Sequence, residues 1–259
     1  MTRVLVVGAA GRMGQSLVRA IEASGDLRLG AALEREGHPA LGQAVARDVP
    51  LGADVSAACA AAEVAIDFSS PASTLGLVDA AESAGLALVI GTTGLDAEHE
   101  ARIERAARRL AIVRASNFSI GATVLFELVA EAARRLEGYE IDVLEMHHDQ
   151  KKDAPSGTAL SLARAAAEAR GQQLQQAAVF ARHGITGARD PKSIGVQALR
   201  LGDSIGEHTV YFAGTGERIE LSHRALSREN FTAGALRAAR WLAGRAPGLY
   251  AMRDVLRAT

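Results

Sequence analysis

The 259-residue chain contains one cysteine, Cys59, so no intramolecular disulfide can form. Cys59 lies in the alanine-rich ADVSAACAAAE with no histidine or other activating group near it in sequence. It reads as a small packing residue rather than a nucleophile. An excess of one charge is also lacking, since 29 Lys+Arg against 30 Asp+Glu leave a formal net charge of -1. No overall field therefore draws the chain to nucleic acid or to an anionic membrane. No apolar run approaches the roughly 18 residues of a membrane-crossing helix. The opening MTRVLVVGAAGRMG has one early arginine and an apolar stretch, but three glycines and Arg12 interrupt it, which is poor for a signal peptide. A cytoplasmic protein is expected. Repeats, low-complexity tracts and long linkers are absent. So are the HExxH and CxxC spacings that would mark a metal site.

What is present is regular. Up to residue 118, short apolar runs alternate with longer helix-patterned segments. RVLVVG, LRLGAALE, EVAIDFS, LALVIGTT and LAIVRASN are nearly continuous Val/Ile/Leu/Ala stretches, as expected for strands buried on both faces of a parallel sheet. RMGQSLVRAIEAS, PASTLGLVDAAESA and DAEHEARIERAARRL lie between them as amphipathic candidates. Pro71 suits a first helical turn and Gly85 a helix stop. The alternation predicts a Rossmann-like, doubly wound α/β sheet over 1–118. After Phe118 the rhythm changes. A long helix, GATVLFELVAEAARRLEG, leads into the strand YEIDVLEMHH, and a helix SGTALSLARAAAEARG follows. Three strand-like runs, SIGVQALRLG, EHTVYFAG and RIELSHRAL, are joined by glycine-rich turns. This predicts a second, α+β domain over 119–227, an open mixed sheet with helices on one face and its turn-linked strands antiparallel. The closing SRENFTAGALRAARWLAGR reads as a helix with Ser227 as its cap, and for the segment 228–259 the first domain is the expected packing partner.

The first strand runs into GAAGRMG, which places Gly8, Gly11 and Gly14 at a strand-to-helix turn. The N–H groups and positive dipole end of such a helix start suit a pyrophosphate, and glycines let the backbone approach it. Ala10 stands where the second glycine of G-x-G-x-x-G is usual. The second strand ends in Glu34, 20 residues beyond Gly14, where a carboxylate would hydrogen-bond an adenosine ribose. Arg35 follows and could pair with a 2′-phosphate, so NADH and NADPH both remain open. Further strand ends, IDFSSP from Asp67 and IGTTG and RASNFS beyond it, supply small hydroxyl and glycine residues at the edge where open α/β sheets bind ligands.

Residues 147–153 hold two histidines, two lysines and two aspartates, just ahead of DAPSGTAL. Pro155 and Ser156 mark a helix start, with Ser156 as N-cap and the Gly157 and Thr158 N–H groups presented beyond it. His147, His148, Lys151 and Lys152 bring cations to a place that would take a carboxylate, so an anionic substrate such as a dicarboxylate fits. Close cations also make Lys or His a better proton donor near neutrality. His147 or His148 with His208 and His223 forms a conceivable metal set, but two nearby lysines would repel the cation, and no metal is expected. Lys152 reads equally well as a solvated charge.

EMHHDQKKDAPSGTAL, together with GAAGRMG, ALER, IDFSSP, IGTTG, SNFS and GEHTVYFAGTGERIELSHRA, resembles the dihydrodipicolinate reductase family of bacterial lysine biosynthesis. The likeness runs to the terminal WLAGRAPGLYAMRDVL, essentially the whole chain. The resemblance implies reduction of a cyclic imine dicarboxylate, 4-hydroxy-tetrahydrodipicolinate, by hydride from a nicotinamide. It assigns the acid chemistry to His147 and Lys151, and the substrate carboxylates to His148, Ser156, Gly157 and Thr158. It assigns NADH or NADPH to Gly8, Ala9, Ala10, Gly11, Arg12, Met13, Glu34, Arg35, Gly91, Thr92, Thr93, Ala115, Ser116, Asn117 and Phe118. It also implies a homotetramer built through the open sheet of the second domain. Ala10 and the extra Lys152 depart from the family pattern. Two other readings stay open at this point. One is a different two-domain dehydrogenase of amino-acid metabolism, such as an aspartate or homoserine dehydrogenase. The other is a nucleotide-sensing regulator without catalysis, which would not need proton donors beside an anion-binding helix start.

Overall fold

A computed structural model describes residues 1–257 of the chain. These residues fall into two compact units, one made of Met1–Ile120 and the segment from Arg228 onward, the other of Gly121–Ser227.

The first unit begins with β1 (Thr2–Val7), α1 (Arg12–Glu22), β2 (Leu27–Leu33), β3 (Ala44–Ala46), β4 (Val49–Gly52), α2 (Val55–Ala60), β5 (Val64–Asp67), α3 (Pro71–Ala84), β6 (Ala87–Ile90), α4 (Ala97–Ala106) and β7 (Ala111–Arg114). Alternation along each strand explains why both sheet faces are apolar. Val4 and Val6 face one buried cluster and Leu5 and Val7 the other, and β7 divides Ala111 and Val113 from Ile112 in the same way. Leu17, Val18 and Ile21 of α1 join the first cluster, while Leu77, Val78 and Ala81 of α3 and Ile103 and Ala106 of α4 join the second. Helix α3 starts as its sequence indicates: Ser70 Oγ accepts from Ser73 N–H, Pro71 fills the first turn, and Gly85 ends it at φ +68°.

The second unit comprises most of α5 (Ile120–Arg135), then β8 (Glu140–His147), α6 (Gly157–Ala169), α7 (Leu174–Ala177), β9 (Ala178–Val179), β10 (Ile194–Arg200), β11 (Glu207–Gly214) and β12 (Glu217–Arg224). Its sheet order is β12-β11-β8-β10-β9. The sheet is mixed, because β8 runs parallel to β10 but antiparallel to β11. This corrects the simple antiparallel run expected for the last three strands. β10 and β11 follow each other in sequence, yet β8 lies between them and pairs with both. Ile141, Val143 and Glu145 of β8 are fully buried, as a central strand requires. Leu125 and Val129 of α5 and the alanines 159, 163, 166 and 167 of α6 cover one face, and the small α6 side chains let that helix lie close to the sheet. The opposite face presents Asp142, Leu144, Met146, Thr209 and Tyr211, none of them buried.

The chain then returns to the first unit with α8 (Glu229–Leu242), β13 (Gly248–Tyr250) and α9 (Met252–Arg257). Ala235, Leu236, Ala238, Ala239 and Leu242 complete the cluster that α1 begins, and Arg240 pairs with Asp26. Strand β13 extends the sheet beyond β7, giving the order β13-β7-β6-β5-β1-β2-β4-β3. One detail differs from the sequence reading. The expected closing helix and tail form a helix, a strand and a second helix, described as far as Arg257; Ala258 and Thr259 lie outside the described residues. Arg228, which flanks α8, already has helical backbone (φ -75°, ψ -9°), so the non-helical cap position falls ahead of it, where Ser227 stands. Pro155 directly precedes the Ser156 cap of α6, as the sequence indicates, and its bond from Ala154 is cis.

Candidate active site

In the first unit the glycine loop is tied to the end of β2. The N–H groups of Gly8 and Ala9 both donate to Leu33 O, at 2.9 and 3.1 Å. Gly8 adopts φ +70°, and a side chain on Gly14 would run into Gly8 O and the Ala9 backbone. One glycine therefore serves the turn and the other the close packing of α1 on the loop. Gly11 is the N-cap of α1 and supplies no side chain to cover the first-turn N–H groups. Arg12 projects to solvent and Met13 packs against the core cluster. Ala10 uses its backbone, donating N–H to Glu34 Oε1 at 3.2 Å, while Arg35 N–H donates to Glu34 Oε2 at 3.1 Å. The acidic residue and the loop are thus brought together, with the Arg35 side chain exposed beside them.

The neighbouring strand ends complete this edge. Gly91, Thr92 and Thr93 follow β6, and Ala115, Ser116, Asn117 and Phe118 follow β7. Gly91 lies against the Phe68 ring, where a Cβ would collide. Thr93 and Ser116 are exposed, but Thr92 and Phe118 are buried, and the Phe118 ring packs edge-on to Phe68 at 5.4 Å. Ala9, Thr92 and Phe118 can therefore meet a ligand mainly through backbone. Beneath them sits Asp67, fully buried at the end of β5. It accepts from Ser69 Oγ (2.5 Å), Ser69 N–H (3.0 Å) and Thr74 Oγ1 (2.5 Å), while Ser69 N–H also reaches Thr92 Oγ1. Burial raises the Asp67 carboxyl above the usual carboxylate range, against the pull of these donors.

In the second unit the histidine run lies at the end of β8. Glu145 and His147 are two residues apart on one strand and point to the same face. Glu145 is fully buried, and its carboxylate is surrounded by donors: His147 Nδ1 (2.5 Å) and Arg200 Nη1 (2.9 Å) on Oε2, Ser156 N–H (3.0 Å) and Arg200 Nη2 (2.8 Å) on Oε1. Burial alone would raise its pKa, but these hydrogen bonds outweigh that and bring it down to about 2. Ser156 Oγ accepts from Ala159 N–H at 3.2 Å, the N-cap bond of α6, and also hydrogen-bonds His208 Nε2 at 3.1 Å. His208 lies opposite Glu145 in the β8–β11 register and meets the His147 ring edge-on at 5.3 Å. Burial, with His147 nearby, pushes the pKa of His208 down to about 3, so its ring is neutral at ordinary pH.

His148 begins the following loop and donates its N–H to Ser204 O at 2.8 Å. Lys151 lies in that loop with Nζ between the two Asp153 oxygens, at 2.8 and 2.9 Å. This contact holds the Asp153 carboxyl below the usual range. The structure thus fastens His147 and the start of α6 (Ser156, Gly157, Thr158) to one carboxylate, while the Lys151 ammonium is engaged by Asp153. Lys152 faces water. The roles of Glu145, Arg200 and His208 escaped the sequence reading. Glu145 stands two residues before the histidine pair, but its partner Arg200 lies 55 residues away and carries no local motif.

Two family models cover the chain. One, described as Dihydrodipicolinate reductase, N-terminus, matches residues 2–118, and the other, Dihydrodipicolinate reductase, C-terminus, matches residues 121–256. The chain belongs to the dihydrodipicolinate reductase family. A 4-hydroxy-tetrahydrodipicolinate reductase of Anaeromyxobacter dehalogenans is 49% identical over 264 residues, spanning 99% of this chain and 98% of the relative. The enzyme of that name from Thiobacillus denitrificans is 48% identical over 261 residues, 98% of each. Among solved structures, the dipicolinate-bound dihydrodipicolinate reductase from Paenisporosarcina sp. TG-14 matches with a TM-score of 0.78 and 26% identity over 97% of both chains. A probable dehydrogenase from Thermotoga maritima, at 12% identity and a TM-score of 0.62, shares the fold alone. The dihydrodipicolinate reductase family consists of oxidoreductases that depend on a pyridine nucleotide. The first unit fits such a group: α1 opens on a glycine with no capping side chain, and Glu34 lies beside it.

Proposed function

We infer that this chain reduces 4-hydroxy-tetrahydrodipicolinate to tetrahydrodipicolinate, a step towards diaminopimelate and lysine. The hydroxyl leaves with a ring hydrogen as water, and a hydride and a proton enter the ring. The observation that carries the reading is the folded form of the E-x-H-H-x-x-K-x-D-A-P-S-G-T-A run. One buried carboxylate holds both a histidine ring and the cap of a helix whose N-terminus suits a substrate carboxylate.

The residues divide the work as follows. The loop Gly8–Met13, with Glu34, Arg35, Gly91–Thr93 and Ala115–Phe118, binds NADH or NADPH. The bound nicotinamide supplies the hydride from its C4. Glu34 favours a free ribose hydroxyl and Arg35 a 2′-phosphate, so the adjacent pair accepts both forms. His148 and the α6 start at Ser156–Thr158 hold the substrate carboxylates; Ser156 contributes through the cap, because its hydroxyl is turned inward to His208. Electron density grows on the substrate as hydride arrives, and His147 and Lys151 supply the compensating proton. Lys151 exchanges Asp153 for the anionic substrate. The protein works in the cytoplasm as a homotetramer joined through the face of the second unit's sheet that bears Leu144, Met146 and Tyr211.

The test follows nicotinamide absorbance with NADH and NADPH in parallel, adding freshly formed condensation product of pyruvate and aspartate semialdehyde. Substrate-dependent oxidation is expected with both, and no oxidation of either bound cofactor would end the reading. His147→Ala and Lys151→Ala should each lower kcat by about 100-fold or more with nucleotide affinity retained. If nucleotide affinity fell as far as kcat in those variants, the division of labour would be wrong.

A further inference from the structure

The proton-donor reading uses His147 but leaves its buried neighbour Glu145 without a task. A buried carboxylate is costly unless its hydrogen-bonding capacity is filled. Val143, two residues earlier on the same face, shows that an apolar side chain can occupy this strand's interior. At Glu145 the capacity is filled by four donors, and one of them is a ring nitrogen of the residue assigned the chemistry.

The surroundings of the ring give that contact a direction. Nδ1 of His147 is engaged by Glu145 at 2.5 Å, so the carboxylate fixes both ring orientation and the site of one ring proton. Arg200, paired with His147 in the β8–β10 register, braces the carboxylate with two hydrogen bonds. His208 closes one side of the ring. The remaining nitrogen, Nε2, faces Gly206, where a Cβ would stand 2.9 Å away. The missing side chain keeps that nitrogen uncovered. We propose that Glu145 is a positioning residue for the reduction, locking His147 so that Nε2 is the nitrogen that passes the proton, with Gly206 leaving it room. The proposal rests on the reading of His147 as a proton donor.

The titratable and charged groups facing His147 are Glu145 on its own strand, Arg200 on β10, His208 on β11 with His223 beyond it on β12, and Lys151 with Asp153 in the following loop. The test compares Glu145→Gln, His147→Ala, the double variant and Gly206→Ala, each as the purified full chain. Glu145→Gln should lower kcat on the order of 10- to 100-fold, with smaller changes in KM and in nucleotide Kd. Added to His147→Ala, Glu145→Gln should lower kcat no further, since one missing ring leaves nothing to position. Gly206→Ala tests the same geometry without touching the buried charge, should Glu145→Gln fail to fold, and kcat should fall there too. Wild-type kcat in His147→Ala would overturn the proton-donor reading and this proposal with it. A lowered kcat in His147→Ala that Glu145→Gln lowers again in full, or an unchanged kcat in Gly206→Ala, would overturn the positioning role alone.

Discussion

Gly8 and Gly14 solve different problems within one loop, and substitution should separate them. At Gly14 any side chain meets Gly8 O and the Ala9 backbone, neither of which can swing aside. Gly14→Ala should therefore cost about 1–3 kcal/mol, read as a lowered thermal midpoint, and weaken nucleotide binding as α1 is pushed off the loop. Gly11 faces a milder approach, 3.2 Å to Gly8 O, so Gly11→Ala should fall well short of that loss. Equal midpoints for the two variants would refute this account. The same loop explains why Ala10 is compatible with the fold. Its contribution is the N–H that reaches Glu34, which alanine provides as well as glycine.

Helix α6 joins its cap to the residues around it. Ser156 Oγ takes the Ala159 N–H and also bonds His208, and its own N–H reaches Glu145. Ser156→Ala should cost about 1 kcal/mol for the cap alone. On the proposed function it should raise KM for the imine dicarboxylate more than it lowers kcat, because it loosens the turn proposed to hold a substrate carboxylate and leaves His147 in place. Steady-state kinetics decide this, and a fall in kcat at constant KM would contradict it. At this scale the sequence showed the long elements and missed the short ones. Continuous apolar runs revealed β1, β2, β5, β6 and β7, since strands buried on both faces leave few polar positions. Strands of two or three residues, such as β3, β9 and β13, have no room for a period. The Ser156 cap was legible because capping is local. The clamp on Glu145 was not, because Arg200 arrives by the pairing of β10 with β8, and that pairing is set by the whole sheet.

For the whole molecule, two groups predict sensitivity to acid. Glu145 falls from 4.5 to about 2 on folding, and His208 from 6.5 to about 3. In both cases the unfolded chain binds more protons across the interval, so folding stability declines as pH falls. The His208 share is complete above about 6.5 and is lost on the way down to about 3; the Glu145 share is lost between about 4.5 and 2. Urea midpoints should drop steadily from neutral pH to pH 4, and His208→Gln should flatten the upper part of that decline. A flat profile in the wild-type chain would show that neither group governs stability. The division into units has a further consequence, for synthesis. Strands β1 to β7 of the first unit's sheet emerge from the ribosome early, but Ala235, Leu236, Ala238, Ala239 and Leu242, which finish one of its cores, come only after all of 121–227 has been made. At about 5–20 residues per second, that apolar surface waits on the order of 10 s for its covering helix. The second unit is one continuous stretch with no such delay. Nascent chains arrested before residue 228 should therefore recruit holdase chaperones through the first unit, and release them once α8 has been translated.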